Sequence, residues 1–309
     1  MKIRLYGLLA ISVFLTSMGS LAQEEKKPDP KFFIYLCFGQ SNMAGGEAPD
    51  PQNLTIPDGR LYKMVVADMA RQNLKMGQWY QTKPPADRNV NSLRIDDFFG
   101  WTMVESLPED YRVGVINVSV PGCKIELFEK DTYAEYLSGA ESWMQDICKQ
   151  YDDNPYQRLV DVAKIAQKDG VIKGFLLHQG ESNPNDQEWC NKVKGIYENL
   201  IQDLGLDAKD IPLLAGELKS AEENGVCAAF NTDVLKNLPD VLPNAFIISS
   251  KGVKGSGDGF HFVVEGYREF GRRYGIQMLK CQGFEYKGEA STDAETKPEE
   301  APPAAASAD

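Results

Sequence analysis

Residues 32–45 read FFIYLCFGQSNMAG, a run of seven apolar residues followed at once by a short polar segment bounded by glycines. An uninterrupted apolar run of this length predicts a strand that is buried on both faces, as in a parallel sheet covered by helices. Further stretches of the same character occupy residues 112–119, 171–178, 211–218 and 245–249. We therefore predict a mainly parallel, five-stranded sheet.

Helical stretches separate these strands along the chain. The clearest one covers residues 154–168, where Pro155 stands at the start, apolar side chains share one face and Gly170 follows the end. Three more are predicted at residues 95–107, 186–204 and 263–279. Strands and helices that alternate without a break in composition indicate one doubly wound α/β domain with helices on both faces, which we place at residues 31–286.

The two ends of the chain have a different character from the domain. Lys2 and Arg4 precede the apolar residues 5–15, and Ser-Leu-Ala at 20–22 supplies the small residues of a cleavage site. We predict a signal peptide at 1–22, a linker at 23–30 and a secreted or periplasmic protein; a membrane anchor is the weaker reading, because the run is short for a bilayer. Residues 287–309 contain no aromatic residue, valine or isoleucine, so we expect a disordered acidic tail.

The net charge indicates which partners are unfavourable, and the cysteine count indicates whether disulfides are possible. The formal net charge is −12, so the protein repels phosphate backbones and anionic membranes, and we expect neither nucleic acid nor, after signal cleavage, a membrane as its partner. An even number of cysteines in an exported chain permits disulfides, but the sequence does not choose the pairing. The cysteines are Cys37, Cys123, Cys148, Cys190, Cys227 and Cys281.

Polar residues with catalytic chemistry follow four of the predicted strands. GQSNMAG at 39–45 follows the first strand, Pro-Gly-Cys at 121–123 the second, HQGESN at 178–183 the third, and DGFH at 258–261 lies beyond the last. In open α/β sheets, ligands bind beyond the carboxyl ends of the strands. One rim of the sheet is thus predicted to carry serine, glycine, glutamine or glutamate, aspartate and histidine, which are the residue types of a Ser-His-Asp hydrolase.

Ser41 and His261 are the candidate nucleophile and base. A serine hydroxyl attacks a carbonyl when a base takes its proton, and imidazole titrates in the range that this requires. The chain has two histidines. We favour His261, because Asp258 precedes it by three residues and its carboxylate can fix the tautomer of the ring. His178 ends an apolar strand, and a role in the structure or at the edge of the pocket suits it better.

The same residues also have simpler interpretations. Ser41 alone fits a helix N-cap, and GQSNMAG is not the GxSxG elbow of α/β-hydrolases. Asp258 fits a turn or a cap equally well. A metal enzyme is less favoured, because two distant histidines without an HExxH motif supply too few ligands.

The three motifs GQSNMAG, HQGESN and DGFH, in this order, resemble those of the sialate O-acetylesterase and acetylxylan esterase group of SGNH hydrolases. In particular, the chain resembles carbohydrate esterase family 6, and the likeness spans about residues 32–279. It implies a flavodoxin-like three-layer sandwich and a serine mechanism without cofactor or metal. Ser41 matches the nucleophile of the family, and His261 with Asp258 matches its C-terminal pair.

The resemblance also implies an oxyanion hole. Its donors would be the backbone N–H groups of Ser41 and Gly122 and the side chain of Gln179, which takes the place of an asparagine in the wider group. Glu181 is an alternative to Asp258 as the residue that orients the histidine.

The function implied is that of a secreted esterase that removes acetyl groups from carbohydrate. We favour acetylated xylan or a similar polysaccharide over O-acetylated sialic acid. A non-catalytic carbohydrate-binding protein on the same fold and a lipid or thioester hydrolase of the same superfamily are the alternatives. Residues 53–91 and 124–153 are too long for simple crossovers, so we expect them to form short helices and loops that face the substrate. The candidates for aromatic contacts with the sugar are Trp79, Tyr80, Trp101 and Trp143, and packing in the core is an equally open interpretation of each.

Overall fold

A computed structural model describes residues 27–46, 59–70, 73–81 and 93–288. The strands are β1 (Phe32–Gly39), β2 (Leu61–Met64), β3 (Trp79–Gln81), β4 (Arg112–Ser119), β5 (Val171–His178), β6 (Leu213–Gly216) and β7 (Ala245–Ile248). The helices are α1 (Ser41–Ala44), α2 (Ile95–Ser106), α3 (Tyr133–Ser138), α4 (Ser142–Cys148), α5 (Pro155–Ala166), α6 (Trp189–Leu204), α7 (Ala229–Asp233), α8 (Leu238–Val241) and α9 (Val264–Cys281). The predicted signal peptide and most of the predicted tail lie outside the described residues.

The strands form one sheet in the order β3-β2-β4-β1-β5-β6-β7. All neighbouring pairs are parallel except β2 with β3. The α/β class and each of the five predicted strands are confirmed, but the predicted count of five is wrong, because the sheet has seven strands. β2 and β3 contain only four and three residues, which is too short for a periodic pattern, and β2 exists by pairing with β4.

The apolar run of β1 is explained by the two cores that it separates. Ile34, Leu36 and Phe38 belong to the core on the side of α5 and α6. Tyr35 and Cys37 point to the other face, where α2 and α9 pack. Because successive side chains of a strand point to opposite faces, a strand between two helical layers must be apolar at every position.

Helices α2, α5, α6 and α9 confirm the four helical predictions within a few residues. α2 and α9 lie unusually close together, and two glycines of α9 permit this approach. A Cβ on Gly271 would lie 2.5 Å from the carbonyl oxygen of Ile95, and one on Gly275 would lie 2.6 Å from Thr102. These two helices together cover the core that lies on the Tyr35 and Cys37 face of β1.

The end of β1 determines where the following polar segment lies. Gly39 has φ of +147°, and a Cβ there would lie 2.1 Å from the carbonyl oxygen of His178 on β5. Only glycine can make this turn against the neighbouring strand. As a result, Ser41 begins α1 just beyond the carboxyl end of β1, which is the central strand of the sheet.

The segment at 124–153 contains α3, α4 and two 3-10 turns, in agreement with the prediction of short helices there.

All six cysteines are free thiols. No helix within the described ranges is both long and apolar enough to cross a bilayer.

Candidate active site

Ser41 and His261 meet at the carboxyl edge of the sheet although 220 positions separate them. The Oγ atom of Ser41 lies 2.9 Å from Nε2 of His261. Ser41 begins α1 after β1, and His261 lies in the loop between β7 and α9. At this distance the hydroxyl proton can pass to the imidazole.

Asp258 contacts the other nitrogen of the ring. Its Oδ2 lies 2.5 Å from Nδ1 of His261, while its Oδ1 accepts hydrogen bonds from the N–H groups of Phe260 and His261 and from the Ser256 hydroxyl. Partial burial raises the pKa of Asp258, but the hydrogen bonds from His261, Phe260 and Ser256 outweigh it and hold that pKa well below its usual value. The carboxylate is therefore ionised at neutral pH and can keep the ring proton on Nδ1.

The loop that carries this pair is a short antiparallel turn. Gly255 and Phe262 form a bridge, and the N–H of Ser256 donates to the carbonyl of His261 at 2.8 Å. The buried side chain of Lys219 donates to the Ser256 carbonyl and supports the turn from below. These bonds hold Asp258 and His261 in one fixed relation.

Asn42 joins the nucleophile segment to the other two motifs, which the sequence alone did not reveal. Its buried Nδ2 donates to Oε1 of Glu181 at 2.7 Å and to the carbonyl of Phe260 at 3.1 Å. Its Oδ1 accepts from the Tyr267 hydroxyl at 3.1 Å. The position of Asn42 directly after Ser41 in the motif was the available signal, but its partners are distant in the chain.

The carboxylate of Glu181 contacts Asn42 and faces His178. Its Oε1 is bonded to Asn42 and lies 3.8 Å from Nδ1 of His178, and its Oε2 is buried without a hydrogen-bond partner among the described residues. The carboxylate within reach of the His261 ring is therefore that of Asp258.

His178 is fully buried and lies edge-on to the rings of Phe262 and Phe270. Its Nε2–H donates to the carbonyl of Glu217 at 3.2 Å. Burial lowers the pKa of His178 against the opposing influence of Glu181, so the ring is neutral. This geometry fits the structural role expected for it.

Two backbone N–H groups at the rim are available to a ligand. Ser41 and Gly122 donate no backbone hydrogen bond to another described residue. Gly122 has φ of +70° in the turn that follows β4, next to the end of β1, and its carbonyl accepts from the Ser182 hydroxyl at 2.8 Å. Free N–H groups in such turns are suited to a negatively charged oxygen.

The side chain of Gln179 does not join them. Its Nε2 lies within 3.1 Å of acceptors on Gln40, Cys123 and Asn183, and its Oε1 accepts from the indole of Trp189 at 2.5 Å. A primary amide has only two N–H bonds, and three buried acceptors already surround them. The predicted third oxyanion donor is thus engaged inside the protein in this arrangement.

A pocket of about 210 Å³ opens over Ser41. It is small compared with pockets for drug-sized ligands, which measure about 300–1,000 Å³, so a short acyl group suits it. The residues that line it are Ser41, Gly45, Gly46, Ser256, Asp258, His261, Phe262 and Tyr267. This lining of described residues includes no lysine or arginine. No group of three or more potential metal ligands occurs in the part of the chain that the structure describes.

The four aromatic candidates have different environments. Trp101 is buried in the core, Trp79 packs against Phe32 with ring centroids 4.9 Å apart, and Tyr80 is half-buried. Trp143 is 48% exposed. Of this set, Trp143 is the one that presents a large aromatic surface to solvent.

Comparison with known proteins connects this geometry to a family. Residues 31–280 match the model of the family described as carbohydrate esterase, sialic acid-specific acetylesterase. The fold resembles that of an Arabidopsis thaliana protein, with 19% identity, a TM-score of 0.59, and coverage of 81% of this chain and 99% of that one. It also resembles NanS, with 17% identity, a TM-score of 0.62 and coverage of 82% and 98%.

A third similar structure is a carbohydrate acetylesterase from Xanthomonas citri. The identity is 17%, the TM-score is 0.54, and the match covers 80% of this chain and 56% of the other. At such identities the three likenesses establish a shared fold.

Proposed function

The chain belongs to the carbohydrate esterase, sialic acid-specific acetylesterase family and is a carboxylic ester hydrolase, and from this premise we propose that it removes O-acetyl groups from carbohydrate by a Ser-His-Asp mechanism. The observation that carries the proposal is the 2.9 Å contact between Ser41 Oγ and His261 Nε2, with Asp258 on the opposite ring nitrogen. A serine, an imidazole nitrogen that can accept its proton and an ionised carboxylate in this order form an activated nucleophile.

In the first half of the reaction, Ser41 Oγ attacks the acetyl carbonyl carbon and its proton moves to Nε2 of His261. The negative charge that develops on the carbonyl oxygen is stabilised by the free N–H groups of Ser41 and Gly122. Removal of one such donor typically raises the barrier by about 3–4 kcal/mol. The protonated His261 then donates Nε2–H to the sugar oxygen as the C–O bond breaks.

In the second half, water attacks the acetyl-serine ester and gives its proton to His261. Acetate leaves when the proton returns to Ser41 Oγ. Asp258 stays ionised throughout and stabilises the imidazolium that forms in each half.

We favour a neutral sugar, such as a residue of acetylated xylan or a similar polysaccharide, as the substrate. O-acetylated sialic acid carries a carboxylate, which would need a cationic partner in the pocket. The described residues that line the pocket over Ser41 include no lysine or arginine, and the chain has a formal net charge of −12. Repulsion from the protein therefore disfavours an anionic substrate.

Export is part of the proposal and depends on the signal pattern at residues 1–22. It fits a substrate outside the cytoplasm. N-terminal sequencing of the protein after expression with its native N-terminus tests this, and cleavage after Ala22 is expected.

Acetate release from acetylated xylan, acetylated monosaccharides and O-acetylated sialic acid tests the function. We expect release from the neutral substrates, and we expect Ser41→Ala to abolish it while the melting temperature stays unchanged. Ser138→Ala, at an exposed serine of α3, is the matched control and should retain full activity. Wild-type turnover in Ser41→Ala would refute the mechanism, and a strong preference for sialic acid would refute the choice of substrate.

A further inference from the structure

Four large apolar side chains of the described residues are exposed. They are Met76 (38%), Trp143 (48%), Val226 (68%) and Phe260 (38%). Isolated apolar residues on a surface need no explanation, but a group of them beside a pocket marks a binding surface. All except Met76 stand next to the loops that carry the candidate catalytic residues.

Trp143 lies against the turn that supplies the Gly122 N–H. A Cβ on Gly122 would lie 2.9 Å from Cη2 of the indole, so the ring rests on the glycine backbone. The neighbouring Met144 is buried and anchors α4 in the core. The indole thus packs on the Gly122 turn with one edge, while Trp143 as a whole remains 48% exposed to solvent.

Phe260 lies beside His261, the candidate base, as Trp143 lies beside Gly122. It directly precedes His261, and its carbonyl accepts from Nδ2 of Asn42 at 3.1 Å, which fixes the backbone. Val226 extends this surface, because its N–H donates to the carbonyl of Gly259 at 3.0 Å and a Cβ on Gly259 would lie 2.6 Å from Val226 Cγ2.

The order of the strands puts these two surfaces on opposite sides of Ser41. Gly122 follows β4, which borders β1 on one side, and Ser41 follows β1 itself. The His261 loop follows β7, which lies beyond β5 and β6 on the other side. The turn against which Trp143 packs and the loop that carries Phe260 therefore lie on opposite sides of the strand that ends at Ser41.

We propose that Trp143 and Phe260 determine specificity by stacking against the apolar C–H faces of the sugar chain that carries the acetyl group. This inference rests on the proposed function and adds to it the part of the substrate that is not acetyl. The leaving oxygen takes its proton from His261, so the acetylated sugar lies beside that residue and contacts Phe260. A chain that continues across Ser41 reaches the indole of Trp143.

The chemistry of the surfaces favours a sugar over a fatty acyl chain. An acyl chain needs an enclosed apolar channel, whereas the pocket over Ser41 measures only about 210 Å³ and has Asp258 and Ser256 in its lining. Open aromatic faces on both flanks instead suit a ring with an apolar face and hydroxyl groups directed to water.

The test compares two acetyl esters that differ in the leaving group. The measured quantity is the ratio of kcat/KM for acetylated xylo-oligosaccharide to kcat/KM for ethyl acetate, which has no sugar. We expect Trp143→Ala and Phe260→Ala each to lower this ratio by about tenfold, mainly through a higher KM for the oligosaccharide. Trp143→Phe keeps a flat ring and should recover most of the ratio.

Met76→Ala is the matched control, because it removes the exposed apolar side chain that lies away from these loops, and it should leave the ratio unchanged. A ratio within twofold of wild type in both alanine variants would overturn the inference while active wild type and inactive Ser41→Ala still upheld the proposed function. Absence of acetate release from every ester by the wild type would instead refute the proposed function.

Discussion

Replacement of Asp258 by asparagine tests the candidate triad most directly. Oδ1 of Asp258 accepts from the N–H groups of Phe260 and His261 and from the hydroxyl of Ser256. In Asp258→Asn the amide oxygen must stay at that position to satisfy these three donors, so the NH₂ group faces Nδ1 of His261. A donor opposite Nδ1 makes that nitrogen an acceptor, and the ring proton moves to Nε2. Nε2–H cannot take the proton of Ser41.

The size of the effect follows from the exposure of the pair. The same change in a buried triad lowers kcat by about 10⁴-fold. The side chains of Asp258 and His261 are 48% and 42% exposed, so water screens the charge and allows some rearrangement of the amide. We expect a loss of about 10³-fold in kcat, which corresponds to about 4 kcal/mol in activation free energy.

The assay is hydrolysis of p-nitrophenyl acetate, with thermal melting to show that the variant is folded. Glu181→Gln is the matched control, because it makes the same chemical change in the other carboxylate of the site. Its amide oxygen can still accept from Asn42, so we expect a loss of less than about tenfold. If Glu181→Gln proved the more damaging change, or if Asp258→Asn kept kcat within tenfold of wild type, the tautomer argument would be wrong.

Three further predictions concern other parts of the molecule. Gly122→Ala forces a Cβ into a left-handed turn 2.9 Å from Trp143, so urea unfolding should show a loss of about 1–2 kcal/mol, with reduced acetyl turnover. Partial burial raises the pKa of Glu269, but hydrogen bonds from Arg272 and Arg273 outweigh it and lower that pKa overall. The stability from this carboxylate is present above its unfolded pKa of about 4.3 and is lost as pH falls through the lower folded value, so Glu269→Gln should lower Tm by about 2–4 °C at pH 7, and calorimetry should show this gap closing below about pH 4. Because the pocket over the nucleophile measures about 210 Å³, turnover should fall from p-nitrophenyl acetate to the butyrate and octanoate esters, and an octanoate optimum would indicate a lipid hydrolase.

Much of the architecture follows from local patterns in the chain. The apolar run of β1 alternates between two cores, and that continuous pattern predicts a strand buried on both faces. Helix α5 has Pro155 at its first position, as the sequence signals indicated, and in the structure the side chain of Asn154 caps the helix by accepting from the N–H of Gln157. Such features depend on residues within a few positions of each other, so they can be predicted from the sequence. β2 and β3 could not be predicted in this way, because three or four residues show no period and their formation as strands depends on their neighbours in the sheet.

The same distinction between local and distant contacts applies to the candidate site. Asp258 and His261 stand three residues apart in one loop, so their contact was predictable, and the motif containing Ser41 pointed to the same rim of the sheet. The engagement of Gln179 by Trp189 and the exposure of Trp143 were not predictable, because each depends on which distant groups meet. The sequence by itself determined the types of secondary structure and the chemistry available at the strand ends. The tertiary structure alone decided which buried amide is already satisfied and which aromatic ring remains in contact with water, since hydrogen bonding and burial depend on neighbours that only folding brings together.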